Sequence, residues 1–274
     1  MDYLNRGAAP FGHEIWKQID DAAVSAARDM LTGRRFLDVE GPAGVGLTSV
    51  EVGNDDFCRQ PGPDEAGAVL GRAISVPMLR KNFELSIRRV AAHQEMGQPL
   101  NLSPVQSAAE AVAAREEEFI YTGQKNFGLP GLLTAEGVNR HEGGDWTNIQ
   151  QALEDVLTAV NILDAKGFRG PYALALPPAL YNGLFRLYPG TELVQLQHLR
   201  RLCERGVYKA LIQDGVLVDP RAGRLLIGQD LMAGYIGQNG VHYQLFLSLS
   251  LVLMVEEPGA ICTISTRTSP VTRS

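Results

Sequence analysis

A basic excess is the first thing missing from this 274-residue chain. Its 25 Lys and Arg stand against 31 Asp and Glu, for a formal net charge of -6. A general nucleic-acid binder needs concentrated positive charge against phosphates, and no basic run supplies it. Long apolar runs are missing too: the most apolar stretch, residues 245–255, has 11 residues, against the roughly 20 a membrane helix needs. The opening MDYLNRGAAPFGHEIW has neither a basic start nor an apolar run, so no secretory signal is expected there. Cysteine is scarce. Cys58, Cys203 and Cys262 are far apart and odd in number, which predicts reduced thiols in a cytoplasmic protein. What is present is ordinary: 45% apolar and 20% charged residues, a globular composition long enough for one large or two modest domains.

Catalytic motifs fail one by one. Gly41-Pro42-Ala43-Gly44-Val45-Gly46-Leu47-Thr48 fits a phosphate-binding P-loop except at the lysine, where Leu47 stands. The residues after it alternate like a strand, whereas a P-loop opens a helix, so a glycine-rich turn is expected. His141-Glu142-Gly143-Gly144-Asp145 begins like a zinc-protease helix but ends in Asp, and its glycines disfavour the helix. The five histidines never fall at ligand spacing, no cysteine has a C-x-x-C partner, and no G-x-S-x-G elbow exists. Cys203 lies in a helical pattern beside Arg200, Arg201 and Arg205, a setting that lowers a thiol pKa. It is the residue a hydrolase reading would use, against a structural reading of a helix-face cysteine. Glu116-Glu117-Glu118 reads as a solvated helix face, with no histidines at i+3 to make a metal site.

The architecture is more informative. Residues 14–31 repeat apolar side chains at helical spacing (Ile15, Ile19, Ala22 or Ala23, Ala26, Met30), behind an arm without periodicity. Ser103-Pro104-Val105-Gln106 reads as a capping box opening a helix to about Tyr121, roughly 27 Å long. Thr147-Asn148-Ile149-Gln150 reads as a second, opening a helix through Leu153, Val156, Val160 and Leu163. A short strand is expected at 171–177 and short helices at 179–187 and 193–205, so residues 134–222 form a compact α/β module. Phe83, Leu85 and Ile87 alternate with polar residues, and eight successive odd positions from Val241 to Val255 are apolar. The latter predicts a strand of roughly 50 Å, far longer than the usual five or six residues. Residues 49–72 are polar, Gly- and Pro-containing and without a core pattern, either an arm that pairs with a neighbour or a surface loop.

These pieces, in this order, resemble the encapsulin shell proteins, the family once described as linocin-type bacteriocins. The resemblance is carried by Leu4, Ala9-Pro10 and Trp16 to Asp20, then by the run from Gly33 to Pro42. It continues at Leu79-Arg80 with Phe83 and Leu85, Glu117, Phe119-Ile120, Gly123 and Gly131-Leu132. Gly170-Pro171-Tyr172-Ala173 and Gly228-Gln229-Asp230-Leu231 with Gly234-Tyr235 complete it.

The resemblance implies an α+β fold of the tailed-phage major capsid type. Peripheral-domain residues would be 1–48, 79–133 with the spine helix, and 223–274; 49–78 would be the extended loop and 134–222 the axial domain. It implies a shell-forming protein, not an enzyme, that self-assembles with 60 subunits, or 180, around a cargo enzyme. Cargo proteins of the family dock by a C-terminal targeting peptide. Carried over by position, the docking residues are Arg34, Leu37, Asp38, Asp230 and Tyr235, with Ile15, Ile19 and Met30 as apolar surface; the alternative is an ion pair of Arg34 with Asp38. The five-fold pore falls at Tyr188, Pro189, Gly190, Thr191 and Glu192. Some members bind flavin through a tryptophan where this chain has Arg88, so although Arg80 is kept, no flavin or other shell cofactor is expected. Gly97-Gln98-Pro99-Leu100 and Gly143-Gly144-Asp145-Trp146-Thr147 resemble the iron-storing branch, which favours a ferritin-like iron oxidase as cargo, with roles in iron storage and oxidative stress. A dye-decolourising peroxidase is next. Neither membrane nor nucleic acid is expected as a partner. A phage capsid protein packaging DNA and a Cys203 hydrolase are the alternatives.

Overall fold

The long alternating run forms the strand His242–Val255, 14 residues, hairpinned to the 17-residue strand Gly223–Asn239. They are the middle strands of a four-stranded sheet, ordered Asp38–Glu40, Gly223–Asn239, His242–Val255, Met78–Ser86. His242–Val255 pairs antiparallel with Met78–Ser86 from His242 opposite Ser86 to Ser250 opposite Met78. Its even-numbered face is buried as well as its odd one: Phe246, Ser248, Ser250, Val252 and Met254 all lie inside. The two serines are tolerated because they are bonded. Gln229 N donates to Ser250 Oγ at 2.8 Å, and Gln229 Nε2 reaches Ser248 O and Oγ at 3.3 and 3.2 Å.

This computed structural model describes residues 3–190 and 192–266. The chain divides into two compact units. One comprises Met1–Asp29, Glu40–Ala113 and Leu226–Val252; the other comprises Met30–Val39, Ala114–Leu225 and Leu253–Ser274.

In the first unit, helix His13–Met30 buries Ile15, Trp16, Ile19, Ala23 and Ala27. The arm before it is tied down: Tyr235 N donates to Leu4 O at 2.8 Å, Arg6 Nε donates to Ala233 O at 2.8 Å, and Arg6 forks onto Asp20. The P-loop lookalike is a turn in which the N–H groups of Ala43, Gly44 and Leu47 are already used. Ala43 N and Gly44 N donate to Ile227 O and Gly228 O at 2.9 and 2.6 Å. At Gly41, φ is 111° and a Cβ would stand 2.3 Å from Ile227 O, so only glycine fits.

The segment expected to be an arm is an antiparallel ribbon. Ser49–Phe57 pairs with Val69–Ser75, from Ser49 opposite Ser75 to Phe57 opposite Val69, with a register shift between Val52 and Asp56. Val69–Ser75 is exposed at nearly every position, including Val69 and Leu70 at 51% and 65%. Such a ribbon has no core of its own, and an isolated hairpin is marginal in water.

The long helix is Ser103–Tyr121, 19 residues, as expected. Its cap is not: Ser103 is already in the helix, and its N–H donates to Asn101 Oδ1 at 3.1 Å. The second capping box shifts too, here by one residue. Asn148, not Thr147, caps helix Ile149–Ala165 by accepting from Gln150 N at 3.2 Å.

In the second unit a five-stranded sheet runs in the order Asn139–Gly143, Ile261–Thr266, Gly215–Val218, Ala173–Leu176, Gly206–Lys209. Its two outer pairings are parallel and its two inner ones antiparallel. Ile261–Thr266 was expected with the peripheral domain, yet it sits between two strands of the 134–222 module. Its short apolar run carried no signal of so distant a pairing. Helix Ile149–Ala165 buries Ala152, Asp155, Val156, Ala159 and Leu163; Leu153 and Val160 are only half-buried. The short helices are Pro178–Gly183 and Gln195–Leu202, both briefer than expected. Among the described residues, no helix is long and apolar enough to cross a membrane.

Candidate docking segment and assembly surfaces

Residues 32–38 form a tight 3-10 turn, Gly33–Arg35, seated on the long helix. Thr32 N and Gly33 N both donate to Glu117 Oε1 at 3.0 Å, and Thr32 Oγ1 donates to Glu117 Oε2. Thr32 Oγ1 also meets the Tyr121 hydroxyl at 2.8 Å. The approach is close: a Cβ on Gly33 would lie 2.8 Å from Ile120 Cδ1, so a larger residue there would push the Ile120 side chain aside. Burial raises the Glu117 pKa above the usual carboxylate range, opposed by the bonds from Thr32 and Gly33 and by the Arg35 charge. Burial also pushes the Tyr121 phenol upward.

Arg34 follows directly. Its Nε and Nη2 donate to Glu116 Oε1 and Oε2 at 2.5 and 3.1 Å, a two-point fork onto a carboxylate with no exposed surface. Phe36 is buried against Tyr208 and Tyr121, with ring centroids 5.6 and 6.4 Å away. Leu37 is buried, whereas Asp38 is exposed and pairs with Arg205. The ion pair between Arg34 and Asp38 is therefore not formed; each has a partner elsewhere.

The acidic triplet thus divides. Glu118 is the surface residue expected, paired with Arg115, but Glu116 and Glu117 are buried, which corrects the reading of a solvated face. The periodicity held the signal: Val105, Ala109, Val112, Glu116 and Ile120 form one stripe, and Glu116 and Glu117 stand four residues after Val112 and Ala113.

The expected docking residues fall in both units. Met30, Arg34, Leu37 and Asp38 belong to the second; Ile15, Ile19, Asp230 and Tyr235 belong to the first. Ile15 and Ile19 are 3% and 0% exposed, core residues rather than the apolar surface expected of them. Met30 is half-buried. Asp230 is exposed and its Oδ1 accepts from Leu231 N at 2.9 Å. Tyr235 is buried among Phe11 and Tyr243.

The expected pore residues lie on a turn closed by the bridge between Leu187 and Val194 and by Tyr188 N donating to Leu193 O at 2.9 Å. Tyr188 packs tilted against the His198 ring with centroids 5.0 Å apart, while Pro189, Gly190 and Glu192 are exposed. Thr191 lies outside the described residues. On the flavin question, Arg88 is exposed on helix Ile87–Met96 and Arg80 already lies 3.7 Å over the ring of Phe246.

Cys203 does not match a reactive thiol. It caps the C-terminus of helix Gln195–Leu202 with no exposed surface, and burial pushes its pKa up to about 12. The neighbouring Arg200 and Arg201 are exposed and do not enter its surroundings as a pKa-lowering influence. The segment at His141 is the end of a strand, not a zinc helix. Asp155 gathers four donors there: Trp146 Nε1 at 2.7 Å, Gly144 N and Gln151 Nε2 at 2.9 Å, and His141 Nε2 at 3.0 Å. Burial works to raise the Asp155 pKa, but these hydrogen bonds outweigh it and the pKa is lowered. Among the described residues, no group of three or more His, Cys, Asp or Glu could hold a metal ion.

The family Linocin_M18, "encapsulating protein for peroxidase", matches residues 1–252. The type 1 encapsulin shell protein EncA of Myxococcus xanthus is 31% identical, over 96% of this chain and 96% of its own length. Among solved structures, the virus-like particle of Pyrococcus furiosus superposes with a TM-score of 0.73 at 19% identity, covering 92% of this chain and 100% of that one. The capsid of Myoviridae phage XM1 gives a TM-score of 0.56 at 17% identity, over 85% and 90% of the two chains. The fold is that of the tailed-phage major capsid proteins, and the chain belongs to the encapsulin shell family.

Proposed function

We propose that this chain is a non-catalytic subunit of a closed icosahedral cage that encloses a cargo enzyme held by a C-terminal targeting peptide. The observation that carries the reading is the ribbon of Ser49–Phe57 and Val69–Ser75. Its strands are long and it exposes Val69 and Leu70 to solvent, as befits a segment completed by a neighbouring subunit. In this proposal sixty copies close the shell, with 180 the rival. The domain plan is peripheral (1–48, 79–133 and 223–274), extended loop (49–78) and axial (134–222), the last with Ile261–Thr266 added. The turn at 188–192 lines the five-fold pore.

Cargo docking is assigned to the segment carrying Arg34, Leu37 and Asp38, with Asp230 and Tyr235 as further candidates. The family's description names a peroxidase; the sequence around residues 97–100 and 143–147 favours a ferritin-like iron oxidase, and with it iron storage and defence against oxidative stress in the cytoplasm. The shell itself carries no flavin in this reading, because Arg88 offers no aromatic ring and Arg80 is engaged with Phe246. Co-expression tests it: fluorescent proteins ending in the C-terminal peptide of a ferritin-like protein or of a dye-decolourising peroxidase from encapsulin-bearing bacteria are produced with the shell. Co-purification of one with megadalton particles, lost when its peptide is removed, supports the reading. Particles that take up tagged and untagged proteins alike contradict it.

A further inference from the structure

Three glutamates follow one another on helix Ser103–Tyr121, and two of them are aimed at one short stretch, residues 32–38. We propose that Glu116 and Glu117 are the positioning residues of cargo docking, Glu117 fixing the backbone of the turn and Glu116 the guanidinium of Arg34. The proposal rests on the reading of residues 34–38 as a docking segment.

The two carboxylates divide the task by geometry. Thr32, the N-cap residue of turn Gly33–Arg35, makes no capping bond with its own side chain. Glu117, 85 residues away in sequence, takes the cap's place by accepting from the N–H groups of Thr32 and Gly33 through one oxygen. Its other oxygen is oriented by the Thr32 hydroxyl, itself in contact with Tyr121. Glu116 acts one residue further on. Its two oxygens take the Arg34 fork, leaving the side chain 20% exposed, a planar two-point geometry that a lysine does not reproduce. Phe36 and Leu37 are buried behind, so Arg34 and Asp38 are presented from a frame anchored on both sides. A peptide meeting groups already held in place gives up less freedom on binding.

Glu117 is suited to a neutral substitute. Its pKa is raised by burial, and a glutamine retains the oxygen that accepts from Thr32 N and Gly33 N. Glu117→Gln is therefore the conservative variant and Glu117→Leu the disruptive one, while Glu116→Leu and Glu116→Gln remove the fork wholly or in part.

The experiment uses assembled shells and the fluorescent reporters bearing ferritin-like and peroxidase C-terminal peptides. It reads reporter bound per shell and amide hydrogen exchange across residues 30–39. Expected are a loss of loading of about tenfold for Glu116→Leu and Glu117→Leu, faster exchange in 30–39, unchanged particle mass, and near-normal loading for Glu117→Gln. Should Glu117→Leu fail to assemble, Glu116→Gln carries the test, with loading expected to fall about fivefold. Full loading of Glu116→Leu, or equal losses in Glu117→Gln and Glu117→Leu, overturns the positioning role. The docking reading fails separately: wild-type shells that take up neither reporter, or loading that survives Arg34→Met with Asp38→Asn, remove the site that the glutamates would position.

Discussion

Arg34 and Glu116 meet through two hydrogen bonds, Nε to Oε1 at 2.5 Å and Nη2 to Oε2 at 3.1 Å, with the carboxylate wholly withdrawn from solvent. A buried pair of this kind is strong evidence of placement and weak evidence of net stability, because desolvating both charges offsets much of their attraction. Breaking it from one side is another matter. Arg34→Ala removes both bonds of the fork from a buried carboxylate and is expected to destabilise the fold by about 3 kcal/mol. The double replacement Arg34→Met with Glu116→Met should recover most of that loss. Guanidinium denaturation at one fixed protein concentration measures both; equal losses in the single and double variants would argue that the pair is structurally idle.

Glu117 sets a pH dependence of unusual sign. Its folded pKa is raised above the ordinary value of 4.5, chiefly by burial. The folded state therefore binds the proton more tightly than the unfolded chain, and the stability tied to that proton is complete below pH 4.5 and lost as pH rises through the folded pKa. The stability of the wild type relative to Glu117→Gln is expected to fall from pH 4.5 toward neutrality. Denaturation midpoints of the two proteins at several pH values read this directly, and parallel curves would show that the group titrates normally.

Asp155 behaves in the opposite way. Hydrogen bonds from His141, Trp146, Gln151 and Gly144 outweigh burial and lower its pKa below 3.8, so its contribution is present above pH 3.8 and lost as pH falls through the folded value. Asp155→Ala strands several donors at once and is expected to cost about 3 kcal/mol. Trp146 reports on it: with Trp16 replaced by Phe, the remaining tryptophan emission should shift when Asp155 is removed. An unshifted spectrum would contradict the bond at 2.7 Å between them.

The thiols should separate cleanly by burial. Cys58 is exposed, whereas Cys203 and Cys262 are buried and their pKa values are pushed up by burial to about 12 and about 11. A Cys58→Ser protein is expected to show no reaction with a thiol reagent at pH 8 until denaturant is added. Prompt reaction of Cys203 would reopen the hydrolase reading.

Much of this architecture was legible because it follows from local periodicity. The alternation at 241–255 and the helical pattern at 103–121 each correspond to one element, since side-chain direction repeats every two residues along a strand and every 3.6 along a helix. The acceptors moved, from Ser103 back two residues to Asn101 and from Thr147 on one residue to Asn148, because neighbouring Ser, Thr and Asn compete for the same N–H groups. What stayed hidden depended on distant partners. Strand Ile261–Thr266 pairs with Asn139–Gly143 across more than a hundred residues, which no local pattern announces. The resemblance, not the helical spacing, put Ile15 and Ile19 on a docking surface; spacing identifies an apolar face but not what covers it. Glu116 and Glu117 were misread because charge was weighed before position; their places on the helix already pointed inward.

The ribbon gives the assembly claim a sharp variant. Leu70→Asp places a charge on a side chain that is 65% exposed in the single chain. It should leave the fold of the isolated subunit intact, within about 0.5 kcal/mol, while preventing shell closure, with far-UV circular dichroism and size exclusion as the paired readouts. Normal shells from this variant would exclude a role for that strand in subunit pairing.

The most direct test of the account is the mass of the purified protein in solution, by light scattering coupled to size exclusion, with negative-stain images of the leading peak. Sixty copies of a 29.8 kDa chain come to about 1.8 MDa, and 180 copies to about 5.4 MDa. Closed round particles at one of these masses, the smaller, are expected. A stable monomer or small oligomer at every concentration examined would contradict it.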